Sequence, residues 1–364
     1  QVGFGLDPKV VDLDDDGDLD LVVCGRSGLF WMENEGPLEV DRTQAAPPTY
    51  NVDELRVVKD AAGTARPIET AFDWALRRTH IVATIERELG LLPGPQLRVP
   101  SDVQILEQVA DDNFTHQTIS YQPSAAERVN ADVWLPTEPV AGVPGIIFVH
   151  HQVDASNTSA IESEEAETEA IAKRLVSRGY VCIVPKSSSR SRAAPGAQSR
   201  VLLKKAIAIN DIWNCMRAVD LLESLPQVDV ERMGCIGKGN GAPLALLTSA
   251  FDQRIVATWC SGELPDIDGD PDAAFTFTDL IAAISARSLA LRVPETMSAQ
   301  ERDVVKRAVE RASAAFGFAR TARPPTFDVQ SSAETDDVTA IIEWLDGRLM
   351  RRQSAGRPRA GQAG

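Results

Sequence analysis

Two stretches of this chain carry residue types at spacings that could do chemistry. The first is Asp12-Leu13-Asp14-Asp15-Asp16-Gly17-Asp18-Leu19-Asp20, with carboxylates at every second position around a glycine. Calcium takes roughly six to eight hard oxygen ligands, and this alternation turns Asp12, Asp14, Asp16 and Asp20 inward with the Asp18 backbone carbonyl available. Without a cation, so many like charges in one loop would repel each other strongly. The expected occupant is therefore Ca2+. The second stretch is Gly237-Lys238-Gly239-Asn240-Gly241, between a strand-like run from Arg232 to Ile236 and a helix-like run from Ala242 to Ala250. A tight turn from strand into helix is where G-x-S-x-G exposes a serine nucleophile. Its central position here is Gly239, which has no side chain to attack with. The last histidine of the chain is His151, so none follows the turn to act as base, and a serine, acid, histidine order is not completed.

The surrounding elements follow from hydrophobic periodicity. Residues 1–36 are short, Gly-rich and acidic. Residues 37–100 read as a helical connector, with a helix from Phe72 to about Leu89 that places Phe72, Ala75, Leu76, Ile81 and Ile85 near one face. From residue 101 to 350, strands and helices alternate. Thr115 to Tyr121 and Ala131 to Leu135 alternate like antiparallel strands. Gly145 to Val149, Tyr180 to Val184, Met233 to Ile236, Ile255 to Cys260, Leu289 to Val293 and Thr326 to Val329 are apolar strands, with helices between them and after the last. The pattern predicts an α/β class fold, a mostly parallel sheet with helices on both faces. Residues 351–364 read as a disordered tail.

A net charge of −16 argues against nucleic acid or anionic membranes as partners, since both require basic surfaces. No apolar run approaches the roughly 18–20 residues of a membrane span. The five cysteines are scattered and odd in number, and Cys182, Cys235 and Cys260 fall in strand-like runs where a buried thiol is expected. The chain opens at Gln1 in mid-motif and reads as the C-terminal part of a longer protein, so a missing leader says nothing about location.

Val10-Val11-Asp12, Leu19-Asp20-Leu21-Val22-Val23 and Gly28-Leu29-Phe30-Trp31-Met32-Glu33-Asn34 around the acidic loop resemble one FG-GAP (VCBS-type) repeat. That resemblance implies one blade of a calcium-binding β-propeller and an extracytoplasmic (periplasmic or secreted) location. A second resemblance covers residues 101–350. Val143-Pro144-Gly145-Ile146-Ile147-Phe148-Val149-His150, Ala172-Lys173-Arg174-Leu175-Val176-Ser177-Arg178-Gly179-Tyr180, Asp211-Ile212-Trp213-Asn214, Val228-Asp229-Val230-Glu231-Arg232-Met233-Gly234 and Ile342-Glu343-Trp344-Leu345-Asp346 together are similar to the dienelactone hydrolase/acetyl xylan esterase group of α/β-hydrolases. The resemblance implies that Gly239 holds the nucleophile's place and Glu295 the acid's, and that the histidine should lie within Gln330 to Asp337, where there is none. It also implies an oxyanion hole from the Asn240 N–H and the loop at His150 and His151.

These observations lead to an expected α/β-hydrolase-fold protein that is catalytically inactive and binds a small-molecule or carbohydrate ligand or a partner. Gly237, Lys238, Asn240, Gly241, His150 and His151 would form its binding site. One alternative is a carboxylester hydrolase with a non-standard nucleophile, for which Lys238, Ser261 and Cys215 are candidates. Another is dinucleotide or anion binding at the glycine turn, where Gly237-x-Gly239-x-x-Ala242 also satisfies a loose dinucleotide fingerprint. Oligomeric state is not set by the sequence. For the acidic loop, calcium titration is expected to raise the thermal unfolding temperature, and Asp14→Ala to remove that response. An unfolding temperature indifferent to calcium would count against the ligand set.

Overall fold

The computed structural model describes residues 9–11, 20–25, 28–32, 46–51, 54–60, 62–94, 97–138, 141–149, 158–186, 209–262, 264, 274–285, 287–318, 326–330 and 337–350. The chain divides into two compact units, residues 1–46 and residues 47–364.

In the first unit, β1 (Lys9–Val11), β2 (Asp20–Gly25) and β3 (Gly28–Met32) form an antiparallel sheet in the order β1-β2-β3. Val11 pairs with Asp20, so residues 12–19 connect two paired strands.

The second unit is organised by a nine-stranded sheet in the order β14-β13-β12-β11-β9-β10-β8-β7-β6. Its members are β6 (Gln104–Ala110), β7 (Phe114–Ser124), β8 (Glu127–Pro136), β9 (Val143–Val149), β10 (Val181–Pro185), β11 (Val228–Lys238), β12 (Ile255–Ser261), β13 (Ser288–Pro294) and β14 (Thr326–Gln330). The strands from β10 through β9, β11, β12 and β13 to β14 run parallel, and β8, β7 and β6 add an antiparallel flank. The mostly parallel sheet expected from the alternation is therefore present. The helices are α1 (Ala71–Leu89), α2 (Thr158–Val176), α3 (Ile209–Ser224), α4 (Ala242–Phe251), α5 (Phe277–Ala283), α6 (Ala299–Phe318) and α7 (Asp337–Leu349). A small hairpin, β4 (Val57–Lys59) with β5 (Ala65–Pro67), precedes α1.

Both faces of the sheet are covered, which is why its central strands read as continuous apolar runs. All of β9 is buried. Strand side chains alternate between faces, and the core divides accordingly. Ile147, Val149, Cys235, Leu289 and Leu291 belong to one cluster with residues of α1, α3, α4, α5 and α6. Ile146, Phe148, Ile236, Ala257, Trp259 and Ala290 belong to the other, with Ile171 and Leu175 of α2 and Ile341 and Leu345 of α7.

Helix α1 begins with a capping box. The Asp73 N–H donates to Thr70 Oγ1 at 3.1 Å and the Thr70 N–H to Asp73 Oδ2 at 2.9 Å, so two amides left over at the helix start are satisfied reciprocally. The buried stripe is Trp74, Arg77, Ile81 and Ile85. Phe72, expected on the inner face, is 74% exposed. Ile81 and Ile85 are buried as expected, whereas at the start of the helix the inward positions go to Trp74 and Arg78, which have partners there. The Trp74 indole N–H donates to Ser285 Oγ at 2.6 Å, and Arg78 donates to the Ala283 and Ala250 carbonyls at 2.7 and 2.5 Å. Those carbonyls lie at the ends of α5 and α4, where a cation complements the helix dipole. Replacing the fully buried Ile85 by alanine is expected to cost about 2–5 kcal/mol in urea unfolding, as for a core isoleucine. A cost below about 0.5 kcal/mol, the range of ordinary surface changes, would mean that α1 lies outside the cooperative core.

Candidate active site

Strand β11 is central in the sheet, flanked by β9 and β12, and ends at Lys238. The chain then makes a 3-10 turn over Gly239–Gly241 and enters α4 with Pro243 in its first turn. Open α/β sheets bind ligands beyond the C-terminal ends of their strands. Gly239 has φ +53, the left-handed region that side chains occupy only under strain. The turn thus has the backbone of a nucleophile elbow, with glycine where the nucleophile would stand.

Close packing fixes this turn on two sides. A Cβ on Gly237 would lie 2.4 Å from Ala245 Cβ and 2.9 Å from Ala242 Cα, so α4 sits directly on the end of β11. A Cβ on Gly262, just past β12, would lie 2.9 Å from the N, Cα and O of Gly239. The buried Cys260 thiol donates to the Ala242 carbonyl at 3.5 Å, tying β12 to the head of the same helix.

The residues expected at the site have distinct fates. Gly237 and Lys238 close β11, and Gly239, Asn240 and Gly241 form the turn itself. Lys238 Nζ is engaged in an ion pair with Glu167 of α2, so its charge already has one partner. Glu295 lies in an exposed turn directly after β13 and accepts from Arg302 through its backbone carbonyl at 2.7 Å. His150 and His151 lie outside the described residues, as do residues 331–336, where a histidine was sought, and Asp12, Asp14, Asp16 and Asp18. Asp20 opens β2.

Two of the three substitute nucleophiles can be separated on chemistry. Cys215 is buried in α3, and burial pushes its thiol up to about 12, far from the thiolate that attack requires. Ser261 ends β12 in register with Lys238 of β11 on one side and Arg292 of β13 on the other. It is 2% exposed, and among the described residues its Oγ has no hydrogen-bond partner. A buried hydroxyl in that state costs about 1–3 kcal/mol. Arg292, also buried, holds its guanidinium 5.6 Å from the Trp259 ring centre. Sequence reasoning missed the Lys238–Glu167 pair, because Glu167 sits in a run of helix acids with no local mark. It also missed Arg292, although a lone charge in the apolar run Leu289 to Val293 is a signal that could have found it.

Comparison with known proteins gives this geometry a context. The pattern of the Dienelactone hydrolase family matches residues 129–347. "Putative hydrolase YtaP" of Bacillus subtilis (strain 168) is 25% identical over 178 residues, a match covering 46% of this chain and 58% of that protein. The chain therefore spans less than two thirds of that relative's length. Among solved structures, a glucuronoyl esterase from Solibacter usitatus superposes with a TM-score of 0.63 at 16% identity, covering 82% of this chain and 98% of that one. A CE15 glucuronoyl esterase from Teredinibacter turnerae T7901 gives 0.58 at 15% identity, covering 86% and 94%. At these identities the structures establish the fold, which is that of the α/β-hydrolases.

The expectation of a catalytically inactive binding protein is corrected by these findings. A hydrolase family covers most of the second unit, so the alternative of a hydrolase is better supported than inactivity. Dinucleotide binding at the glycine turn is the weaker reading, since a dinucleotide-binding unit opens its domain whereas β6 to β10 precede β11 here, and the matching family is a hydrolase family. Among the described residues no helix is long and apolar enough to cross a membrane.

Gly239→Ser is expected to lower stability by about 1–3 kcal/mol, the strain of a side chain in this backbone region. It should raise ester turnover little, because no histidine follows the turn in the sequence; a robust esterase from this one change would place an imidazole base beside the turn. The chain's fold, its elbow and its sequence pattern agree, and it belongs to the Dienelactone hydrolase family.

Proposed function

We propose that this chain is a carboxylester hydrolase whose nucleophile comes from outside the elbow. The observation that carries the reading is the backbone of Gly239, at φ +53 on the crest of the central strand. The turn keeps the shape that serves acyl transfer, and the head of α4 follows at once with its amide donors. Preorganised N–H groups aimed at a developing oxyanion are commonly the largest single contribution in such sites. What the elbow lacks is an attacking atom, so the nucleophile belongs to a neighbouring strand end. An ester borne on a carbohydrate is the proposed substrate class, in keeping with the names of the glucuronoyl esterases that share the fold.

The expected result is turnover of a short-chain aryl ester at least about 10³-fold above the uncatalysed rate, the residual that an oxyanion hole and binding supply even without a complete triad. Turnover indistinguishable from buffer would overturn the proposal.

For the first unit we propose an FG-GAP-type, calcium-binding blade. The pairing of Val11 with Asp20 supports it, because the residues on either side of the acidic stretch are register partners on antiparallel strands. Asp12, Asp14, Asp16, Asp18 and Asp20 would hold the ion, which would neutralise the loop and brace the hairpin. An extracytoplasmic location accompanies this proposal and rests on the repeat's resemblance.

A further inference from the structure

We propose that Ser261 is the nucleophile and Lys238 its general base, an assignment that rests on the hydrolase reading above. Three observations converge on Ser261. It stands at the C-terminal end of β12, next to the elbow strand and at the sheet edge where α/β folds hold their ligands. Its neighbour Gly262 approaches the Gly239 backbone so closely that a Cβ there would sit 2.9 Å from three of its atoms, which places the Ser261–Gly262 step against the elbow itself. Its hydroxyl is buried and, among the described residues, lacks any hydrogen-bond partner. A hydroxyl that serves packing alone is normally satisfied or replaced by a methyl group.

Register supplies the base. Lys238 and Ser261 are paired positions on adjacent parallel strands, so their side chains leave the same face of the sheet about 4.8 Å apart at the backbone. That face is the one covered by α2, from which Glu167 holds the Lys238 ammonium. Lys238 Nζ rests on Glu167 and, among the described residues, Ser261 Oγ is unpaired, so a turn of the lysine side chain toward Oγ would complete nucleophile, base and orienting carboxylate in the logic of a catalytic triad, with lysine in place of imidazole. Arg292, paired with Ser261 from the other side, adds a cation where negative charge develops on the carbonyl oxygen.

The reaction balances within these groups. Neutral Lys238 Nζ takes the proton from Ser261 Oγ as Oγ bonds to the ester carbonyl carbon. Collapse of the tetrahedral intermediate breaks the bond to the alcohol oxygen, which leaves with the proton returned by the Lys238 ammonium. Water then attacks the acyl-serine, passing one proton to Lys238 Nζ; the acid departs and that proton returns to Oγ.

The test treats the full chain with p-nitrophenyl acetate and, separately, with a serine-reactive fluorophosphonate, and locates the adduct by peptide mass spectrometry. The expected result is an adduct on Ser261, with turnover reduced at least about 100-fold in Ser261→Ala and Lys238→Met. Labelling is read on the unaltered protein, so it does not depend on either variant folding. Turnover that survives Ser261→Ala in a folded protein, or an adduct on another residue, overturns this assignment while leaving the hydrolase reading intact. Absence of turnover in the unaltered chain overturns both.

Discussion

The candidate site depends on how closely three backbone segments approach one another at the ends of β11 and β12. Gly237 lets α4 rest on the end of β11, with Ala245 and Ala242 where a side chain would otherwise be. Gly262 lets the exit of β12 press against Gly239. Interiors are packed to near-crystalline density, so contacts this short tolerate no added methyl group without displacement of a strand or a helix. Everything else at the site follows from that crossing. It sets the left-handed turn at Gly239, the position of the α4 amides, and the adjacency of residues that lie far apart in sequence.

On that rigid frame the sheet presents a row of polar side chains at one level. Lys238, Ser261 and Arg292 occupy successive register positions on β11, β12 and β13. Buried polar groups are costly without partners, and neighbouring strands here bring two cations and a hydroxyl together in a largely apolar layer containing Trp259 and Ala257. Glu167 of α2 offsets part of that charge. The chemistry available is thus set by register, because a slip of one residue on β12 would turn Ser261 to the opposite face.

Much of the fold was legible in the sequence, for definite reasons. The parallel strands are buried on both faces, so their apolar runs are continuous and stand out. Strand β6 was not legible. Val103, Ile105, Leu106 and Val109 are all exposed along this edge, and an irregularity between Ile105 and Glu107 breaks the alternation that marks a half-buried strand. The face of α1 was misjudged for a related reason. Periodicity alone favoured Phe72, whereas hydrogen bonds from Trp74 to Ser285 and from Arg78 to the ends of α4 and α5 decide which side turns inward there.

By itself, the sequence determined the strand–glycine–helix turn, the missing side chain at Gly239 and the missing downstream histidine, because these are properties of residue type and local spacing. Inactivity did not follow from those absences, since an attacking group need not come from the elbow. Only the tertiary structure decided that the Ser261 hydroxyl is buried beside Lys238, that Glu167 reaches that lysine from α2, and that Cys215 is sealed in the core. These are contacts between segments dozens of residues apart. They are fixed by parallel register and close glycine packing, neither of which leaves a signature in a window of neighbouring residues.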